Sequence, residues 1–268
     1  MPPSFAGKSI LLTGASAGIG RQIALAVAVE RPRLLLAARD GERLAEVAQL
    51  CRQRGADAVA VRTDVTDERD CARAVERCVE SFGRLDVLML NAGVDMWTRL
   101  DELRDLDILE RLMRVNYLGC AWLAYHALPH LVARKGSIVV VSSLLGLTGA
   151  PTRTGYAASK HALHGFFDSL RIELAGSGTT VTIVCPDFVV SEIHKRALGP
   201  DGQPLGESPM VESKIMTAER CAELVLDAAR RRKRLAILST RGRIGRWVRM
   251  LAPGLIDRIA ARAISRRH

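Results

Sequence analysis

The feature that most constrains the fold is an apolar run followed by a glycine-rich turn and an apolar segment. Residues 9–13 read Ser-Ile-Leu-Leu-Thr, Gly14-Ala-Ser-Ala-Gly18-Ile-Gly20 follows, and apolar residues continue from Arg21 to Val29. Glycines permit a tight turn and close approach of the backbone to a pyrophosphate, whose charge the amides and dipole of a helix start stabilise. The pattern predicts a strand, turn and helix that bind a dinucleotide through Gly14, Ser16, Ala17, Gly18, Ile19 and Gly20.

The same turn also fits the G-x-S-x-G nucleophile elbow of hydrolases, through Gly14, Ser16 and Gly18. That elbow needs earlier strands and an upstream loop that supplies an oxyanion amide. Only thirteen residues precede Gly14. Although the spacing is not the usual G-x-G-x-x-G, we favour dinucleotide binding over a serine hydrolase.

Strand-like apolar runs alternate with helical segments along the chain. Strands are predicted at about 9–13, 34–38, 58–62, 86–90, 137–142, 180–185 and 235–238, and helices between them, notably over 42–54, 68–82 and 108–131. Pro129 predicts a kink or an end of the last of these helices. Such alternation predicts an α/β fold, a single doubly wound Rossmann-type domain with a seven-stranded parallel sheet, helices on both faces, and C-terminal amphipathic helices.

No internal repeat or low-complexity linker divides the 268 residues, whose number fits one domain. We expect residues 1–240 to form this domain and residues 241–268 to form a basic amphipathic extension.

A second pattern predicts acid–base chemistry. If residues 157–175 form a helix, Tyr156 and Lys160 lie one turn apart on the same face. An unperturbed phenol has a pKa of about 10, and the ammonium together with a cationic nicotinamide would lower it. Ser143 would polarise a substrate carbonyl. A Tyr-x-x-x-Lys pair alone would also fit an ordinary surface helix.

Five motifs follow one another along the chain: Thr13-Gly-x-x-x-Gly-x-Gly20, Leu90-Asn-Ala-Gly93, Asn116, Ser143 and Tyr156-Ala-Ala-Ser-Lys160. In identity, order and spacing they resemble the short-chain dehydrogenase/reductase family, from about residue 6 to the end. The resemblance implies that Tyr156 is the general acid/base and that Lys160 lowers its pKa and holds the nicotinamide ribose. It also implies that Ser143 orients the carbonyl and that Asn116 anchors a water in a proton relay.

Two segments narrow the resemblance. Residues 136–143 and 166–171 look like the hydroxysteroid dehydrogenase branch. Residues 156–171, with Leu251-Ala-Pro-Gly-Leu255, look still more like the lipid-active dehydrogenase/reductase member-seven group, which includes proposed reductases of acyl or alkyl dihydroxyacetone phosphate. The implied function is an oxidoreductase that interconverts a ketone and a secondary alcohol on a lipophilic substrate, as a homodimer or homotetramer.

The alternative is a sensor or scaffold that binds NADP without turnover. Fold alone does not distinguish such a protein from an enzyme. The complete set Asn116, Ser143, Tyr156 and Lys160 favours the enzyme, since a sensor needs no proton relay.

The end of the second strand predicts the cofactor. An acidic residue there would bind the ribose hydroxyls of NAD, whereas a guanidinium can hold a 2′-phosphate. The chain reads Ala37-Ala38-Arg39, with no carboxylate until Asp40. We therefore predict NADP(H), with Arg39 as phosphate ligand and Arg21 as a helper; the alternative is that Arg39 is simply a solvated strand end.

Further cofactor residues follow from the family pattern. Asp64 and Val65 match the position that meets the adenine ring, and Asn91, Ala92 and Gly93 would line the cofactor. After the sixth strand come Pro186, Val189 and Ser191, of which Ser191 replaces the threonine that commonly bonds the carboxamide. Turn formation alone would also explain these residue types.

Asp187 departs from the family, which usually has glycine after Pro186. Glycine gives the backbone freedom at that place. We interpret Asp187 as a candidate determinant of substrate polarity, with simple drift as the alternative. The expected substrate residues are Ser143, Leu145, Tyr156 and Asp187.

The segment 188–217 is long, aperiodic and rich in glycine and proline, which predicts a loop that closes over the site. Its apolar residues, which include Val189, Ile193, Leu198 and Val211, suggest an apolar ligand. The opposite wall is expected to contain Met96, Trp97, Leu144 and Leu145.

The net charge of +10 resides in the tail, because residues 230–268 hold thirteen basic side chains and one acid. Apolar residues recur at helical spacing in two successive segments of this tail, with arginines such as Arg262 and Arg266 on the opposite side. The first stripe is Ile244, Trp247, Val248 and Leu251, and the second is Ile256, Ile259, Ala260 and Ala263. Basic amphipathic helices with a tryptophan fit an anionic membrane surface. A dimer arm or a lid helix packed on its own protein fits equally well. We expect no nucleic acid partner, because no nucleic-acid module accompanies the charge.

The six cysteines show no metal-ligand spacing, which indicates reduced structural thiols. His126 and His130 lie one helical turn apart without a supporting ligand, so we expect no metal. Without a signal peptide or an apolar run of spanning length, a cytoplasmic location is expected, with possible peripheral contact at a membrane through residues 241–268.

Overall fold

The structure is a computed structural model that describes residues 4–210 and 215–265. Val211 of the expected lid and Arg266 of the expected tail lie outside these ranges, as do the side chains of Arg262 and Ala263.

Seven parallel strands form one sheet in the order β3-β2-β1-β4-β5-β6-β7. β1 pairs with β2 through Leu11 and Leu35 and with β4 through Leu11 and Leu88. The predicted strands are confirmed to within one residue at each end. The strands are β1 (Ser9–Thr13), β2 (Arg33–Ala38), β3 (Asp57–Arg62), β4 (Val87–Leu90), β5 (Ser137–Val141), β6 (Thr180–Cys185) and β7 (Leu235–Ile237).

The central strands β1, β4 and β5 are buried throughout and mostly apolar, because the sheet is covered on both faces. All of β1 is buried; Ile10 and Leu12 join one core layer, and Leu11 joins the other. The first layer is completed by α1 (Gly18–Ala28), α2 (Gly41–Gln53) and α7 (Ala218–Arg230), and the second by α3 (Glu68–Phe82), α5 (Gly119–Arg134) and α6 (Thr154–Glu173). The predicted doubly wound α/β class is thus confirmed.

The long helix predicted over 108–131 is divided. α4 (Asp107–Met113) is followed by a π-helical turn (Arg114–Leu118) and then by α5. Pro129 does not end α5, which continues to Arg134 and stops where Lys135 adopts a left-handed conformation with φ 48°. The interruption instead lies at Asn116, and π-helical turns are frequent at functional sites.

Two helices, α8 (Thr240–Leu251) and α9 (Pro253–Ser265), complete the described chain. The Ser239 hydroxyl caps α8 by accepting a hydrogen bond from the amide of Gly242. A Cβ at Gly242 would lie 2.5 Å from Cδ2 of Leu144 and 2.9 Å from Cγ2 of Ile237, so a larger residue would have to displace these side chains. The N-terminal turn of α8 is therefore packed against the loop that follows β5.

All six cysteines are buried free thiols. In the part of the chain that the structure describes, no group of three or more His, Cys, Asp or Glu could hold a metal ion, and no helix is long and apolar enough to cross a bilayer. His126 contacts the carboxylate of Glu68.

Candidate active site

A cavity of about 650 Å³ opens at the carboxyl ends of the strands, where the order reverses between β1 and β4. Ligands of doubly wound sheets bind at this switch point, because the flanking loops diverge there. The segments that follow β1 to β6 line the cavity, and α8 and α9 contribute Gly242, Gly245, Arg246, Arg249, Ile256, Ile259 and Ala260.

The glycine turn forms one end of the cavity. Gly14 has φ +66°, and a Cβ there would lie 2.9 Å from Cα of Ala92. At Gly20 a Cβ would lie 2.1 Å from the Gly14 carbonyl oxygen, so glycine is required where α1 meets the turn. Ala17, at the start of α1, makes no side-chain cap. The first amides of α1 thus remain available for a pyrophosphate, and the residues present fit a dinucleotide.

Hydrogen bonds tie the end of β1 to the end of β4. The Thr13 hydroxyl accepts from the amides of Asn91 at 3.0 Å and Ala92 at 3.1 Å. The Asn91 side chain donates to the Thr13 carbonyl at 3.1 Å. The predicted segment from Asn91 to Gly93 is thereby held along the floor of the cavity.

At the other end, Arg39 is exposed and lines the cavity beside Asp64 and Val65. The first carboxylate after β2, that of Asp40, accepts from the Arg43 amide at 3.1 Å and caps α2. Burial raises the pKa of Asp64, but hydrogen bonds from Thr66 and the charge of Arg39 outweigh it and lower that pKa.

The catalytic candidates meet near the middle of the cavity. α6 places Tyr156 and Lys160 on one face, with the Lys160 ammonium 5.7 Å from the centre of the Tyr156 ring. Lys160 is buried and donates to the Val141 carbonyl at 3.2 Å. Ser143, two residues beyond β5, shares a hydrogen bond with Tyr156. A proton donor, a second hydroxyl and a cation therefore converge.

The pKa of Tyr156 differs from the expectation. Burial raises it above its usual value, and the negative charge of Asp95 adds to the rise. Arg153 and the hydrogen bond from Ser143 act in the opposite direction. Burial also lowers the pKa of Lys160. In the protein by itself the phenol is thus protonated at neutral pH, and the opposing cation is Arg153 rather than Lys160.

Asn116 lies behind the cavity wall. Its side chain donates to the Val94 carbonyl and to the Ser159 hydroxyl, both at 2.9 Å, and accepts from the Val94 amide at 2.8 Å. Asn116 thereby ties the loop after β4 to α6. Its role in a proton relay stays a prediction.

Of the predicted site residues, Gly20, Arg21 and Asn116 lie outside the cavity lining. Met96 and Trp97 of the expected opposite wall are also outside it, because Met96 packs in a buried cluster with Ile108 and Leu112, and Trp97 lies against Arg153. The other predicted site residues line the cavity: Gly14, Ser16, Ala17, Gly18, Ile19, Arg39, Asp64, Val65, Asn91, Ala92, Gly93, Ser143, Leu145, Tyr156, Lys160, Pro186, Asp187, Val189 and Ser191. The segment after β6 also lines it through Ile193 and Leu198.

Asp187 lines the cavity, but its carboxylate accepts hydrogen bonds from residues at the N-terminal end of α8. It accepts from Ser239 at 2.8 Å and from two nitrogens of Arg241 at 2.6 and 3.2 Å. This aspartate therefore anchors α8 where the family usually has glycine.

Sequence reasoning missed Asp95, Arg153, His194 and the lining residues of α8 and α9, all of which reach the cavity. Arg153 precedes Tyr156 by three residues, a spacing that brings side chains together on a helix. That spacing was the only available signal, because Asp95 and His194 come from distant loops.

Comparison with known proteins agrees with this geometry. A protein-family model described as short chain dehydrogenase matches residues 8–199. A Dictyostelium discoideum protein, dehydrogenase/reductase SDR family protein 7-like, is 33% identical over 95% of this chain and 81% of its own length. The human dehydrogenase/reductase SDR family member 7 is 36% identical over 81% of this chain and 66% of its own length.

Two other proteins extend the comparison. An 11-beta-hydroxysteroid dehydrogenase A from Arachis hypogaea is 34% identical over 94% of this chain and 74% of its own length. Among solved structures, a short chain dehydrogenase/reductase from Burkholderia phymatum in complex with NAD has a TM-score of 0.84 and 26% identity, and the match covers 95% of this chain and 97% of that one.

Proposed function

Since the chain belongs to the short-chain dehydrogenase/reductase family of oxidoreductases, we propose that it uses NADP(H) to interconvert a ketone and a secondary alcohol on a lipophilic substrate. The observation that carries the proposal is the meeting of Ser143, Tyr156 and Lys160 in the cavity that also contains the glycine turn. A dinucleotide at the turn and a carbonyl at Tyr156 would share one enclosed site.

The roles of the side chains follow from their positions. When bound, the nicotinamide cofactor supplies or accepts a hydride. Tyr156 gives its phenolic proton to the carbonyl oxygen in reduction and takes it back in oxidation. Ser143 donates a hydrogen bond to the same oxygen and so fixes the carbonyl. Lys160 would hold the ribose and, once a cationic nicotinamide lies beside it, the two positive charges together would favour the phenolate left after proton transfer.

Two observations support NADP(H) over NAD(H). Arg39 lines the cavity with an exposed guanidinium. The nearby Asp40 carboxylate, which would otherwise compete for ribose hydroxyls, is already bonded to the amide of Arg43. A planar guanidinium matches the geometry of a phosphate.

A lipophilic substrate is supported by the wall opposite the cofactor residues. Leu144, Leu145, Leu147, Ile193 and Leu198 line the cavity there. Relatives named hydroxysteroid dehydrogenase point in the same direction. We propose a steroid-like, long-chain keto, or acyl or alkyl dihydroxyacetone phosphate-like ketone.

The test is NADPH oxidation by the full chain with a panel of these ketones, in parallel with Tyr156→Phe. We expect the substitution to abolish turnover and to leave NADPH binding nearly intact, because it removes only the transferable proton. General acid–base catalysis contributes about 10² to 10⁴ in rate. Near-normal turnover by Tyr156→Phe would remove this mechanism.

The same measurement distinguishes an enzyme from a sensor that binds NADP without turnover. A sensor would bind NADPH with unchanged affinity in both proteins and would reduce no ketone in the panel. Lys160→Ala is expected to weaken NADPH binding as well as turnover, because a single ammonium serves both.

We further propose a cytoplasmic homodimer or homotetramer that contacts anionic membranes through residues 241–268. The apolar stripe of α8 supports an apolar partner, because Trp247 is 62% exposed and Leu251 is 80% exposed. The opposite face of α8 lines the cavity through Gly245, Arg246 and Arg249. Light scattering tests the subunit number.

A further inference from the structure

Three buried ionisable side chains next to Tyr156 neither carry the transferred proton nor contact the substrate carbonyl in the reaction described above. They are Asp95 after β4, Arg153 at the start of α6, and His194 in the segment after β6. Their exposed fractions are 1%, 4% and 6%. All three line the cavity that contains Tyr156. We call them the Arg153 cluster.

One carboxylate and two aromatic rings lie against the Arg153 guanidinium. Nη2 donates to the Asp95 carboxylate, whose other oxygen accepts from the Met96 amide at 2.8 Å. The guanidinium carbon lies 4.3 Å from the centre of the Trp97 ring and 5.2 Å from that of Tyr156. Of the guanidinium nitrogens, only Nη2 is used by these contacts.

Two nitrogens of Arg153 and both ring nitrogens of His194 are unsatisfied within the part of the chain that the structure describes. Nε and Nη1 of Arg153 have no hydrogen-bond partner among the described residues, and neither has either ring nitrogen of His194. His194 Nδ1 lies 3.8 Å from Asp95, beyond hydrogen-bond distance. Buried polar groups are seldom left unpaired, because the loss of their contacts with water costs free energy. Their position in a cavity wall indicates that a ligand supplies the missing acceptor.

The cluster is held rigidly. The Leu198 amide donates to the Asp95 carbonyl, and the Trp97 amide to the Leu198 carbonyl, both at 2.9 Å. The Thr98 amide donates to the Thr152 carbonyl at 3.0 Å. Thr152 has φ +64°, an unfavourable conformation for a β-branched residue, directly before Arg153. The site is thus organised before any ligand arrives.

Charge indicates the class of ligand. Basic side chains outnumber acidic ones along the cavity, and Arg111 of α4 with Arg246 and Arg249 of α8 lie outside the predicted cofactor set. Such a lining attracts an anion. A guanidinium binds carboxylates and phosphates alike. Next to the buried carboxylate of Asp95, a singly charged carboxylate is repelled less than a doubly charged phosphate.

We propose that Arg153, with His194 beside it, binds a carboxylate of the substrate, so that the preferred substrate is an oxo acid with an apolar chain. The proposal rests on the proposed ketone–alcohol activity and adds the substrate class.

The first experiment compares matched substrates with the full chain and NADPH. One series contains oxo acids of a single chain length with the carbonyl at successive positions. The other contains the same ketones with a methyl group in place of the carboxylate. We expect at least one oxo acid to exceed its matched ketone in kcat/KM by roughly ten- to hundredfold, the range expected for a charged hydrogen bond. Equal values throughout the series would overturn the proposal.

The second experiment uses variants that avoid an unpaired buried charge. Arg153→Lys keeps a cation beside Asp95 but loses the fork, and the double variant Arg153→Gln with Asp95→Asn removes both charges. Both should raise KM for the oxo acid far more than for the matched ketone, because only the acid loses a carboxylate contact. A change in the acidity of Tyr156 would instead alter kcat for both substrates alike. The control Arg99→Gln removes an exposed guanidinium paired with Asp101. Equal losses for acid and ketone would indicate a purely structural Arg153.

A third measurement does not depend on turnover. Octanoate, which has a carboxylate but no ketone, should raise the melting temperature of the NADPH-saturated parent and give binding heat in calorimetry. The double variant should lose both effects. If octanoate binds but no ketone is reduced, the proposed carboxylate subsite stands and the proposed function is wrong. Equal octanoate effects in parent and double variant, or none in the parent, would remove the subsite.

Discussion

Arg39 is the residue on which the choice between the two nicotinamide cofactors depends. It lines the cavity beside Asp64, whose pKa its charge helps to lower. Its exposed guanidinium is open to a phosphate, whereas Asp40 is engaged in capping α2.

We expect Arg39→Leu to weaken NADPH binding by roughly ten- to hundredfold and NADH binding much less, because only NADPH carries the additional phosphate. Dissociation constants for both cofactors, obtained by fluorescence titration, provide the measurement. Arg77→Leu, which removes an exposed arginine paired with Glu80 on α3, is the matched control. An equal loss for both cofactors would mean that Arg39 is structural.

At the scale of elements, Asp187 links the end of β6 to the start of α8. Its carboxylate is largely buried, whereas its partner Arg241 is mostly exposed, so the contact with Ser239 carries more weight than the ion pair. The usual glycine at this place would leave α8 without this anchor.

Asp187→Ala is therefore expected to lower the free energy of unfolding by about 1–3 kcal/mol, the cost of losing hydrogen bonds to a charged group. It should also accelerate tryptic cleavage after Arg243 and Arg246, because α8 detaches more often. Denaturant melts and timed proteolysis measure the two effects.

Asp227→Ala is the control for Asp187→Ala, because it removes a partly exposed carboxylate of α7 that pairs with Arg231 and Lys233, both exposed and just beyond the end of that helix. Exposed pairs of this kind contribute at most about 1 kcal/mol. Unchanged stability and cleavage in Asp187→Ala would show that α8 is held by packing alone.

His164 connects α6 to the sheet behind the catalytic residues. Its Nε2 lies 3.1 Å from the Ser142 hydroxyl. Burial lowers the pKa of His164 from 6.5 to about 4. The unfolded chain therefore binds more protons than the folded protein between these values, and acid favours unfolding there.

Acidification from neutral pH should accordingly reduce the free energy of unfolding as pH falls from 6.5 towards about 4, and the loss due to His164 should be complete below that value. His164→Gln keeps a hydrogen-bonding side chain without the titration and should flatten this part of the profile. His130→Gln serves as the histidine control. Parallel profiles for the parent and His164→Gln would contradict the assignment.

At the scale of the whole molecule, α8 has two opposite faces. Gly242, Gly245 and Arg246 face the cavity, whereas the apolar stripe with Trp247 and Leu251 is exposed. Truncation after Ser239 would thus remove cavity wall as well as the stripe. Point substitutions on the exposed face separate the two roles.

We expect Trp247→Ser with Leu251→Ser to abolish binding to anionic vesicles and to leave turnover of a small ketone unchanged. Salt should weaken vesicle binding of the parent, because attraction of the arginines is screened over about 8 Å at physiological ionic strength. Tyr125→Ser, which removes an exposed aromatic ring from α5, is the control. A parent protein that ignores vesicles at low salt, but whose dimer is lost in the double variant, would identify a subunit arm.

Local sequence patterns were sufficient to predict many elements of this structure. The strands, the glycine turn and the pairing of Tyr156 with Lys160 depend on neighbouring residues, through apolar period, backbone freedom and helical spacing. The division of the helix at Asn116 escaped prediction, because neither glycine nor proline lies within the π-helical turn to mark it.

What the sequence by itself determined is the order of elements and the identity of the candidate acid–base residues. The tertiary structure decided which distant groups surround them. Asp95 meets Arg153 across 58 residues of chain, and Asp187 meets Arg241 across 54. Burial, which raises the pKa of Tyr156, likewise exists only in the folded chain. The physical reason is that short-range spacing is encoded along the chain, whereas desolvation and charge pairing arise from segments that meet only when the sheet has formed.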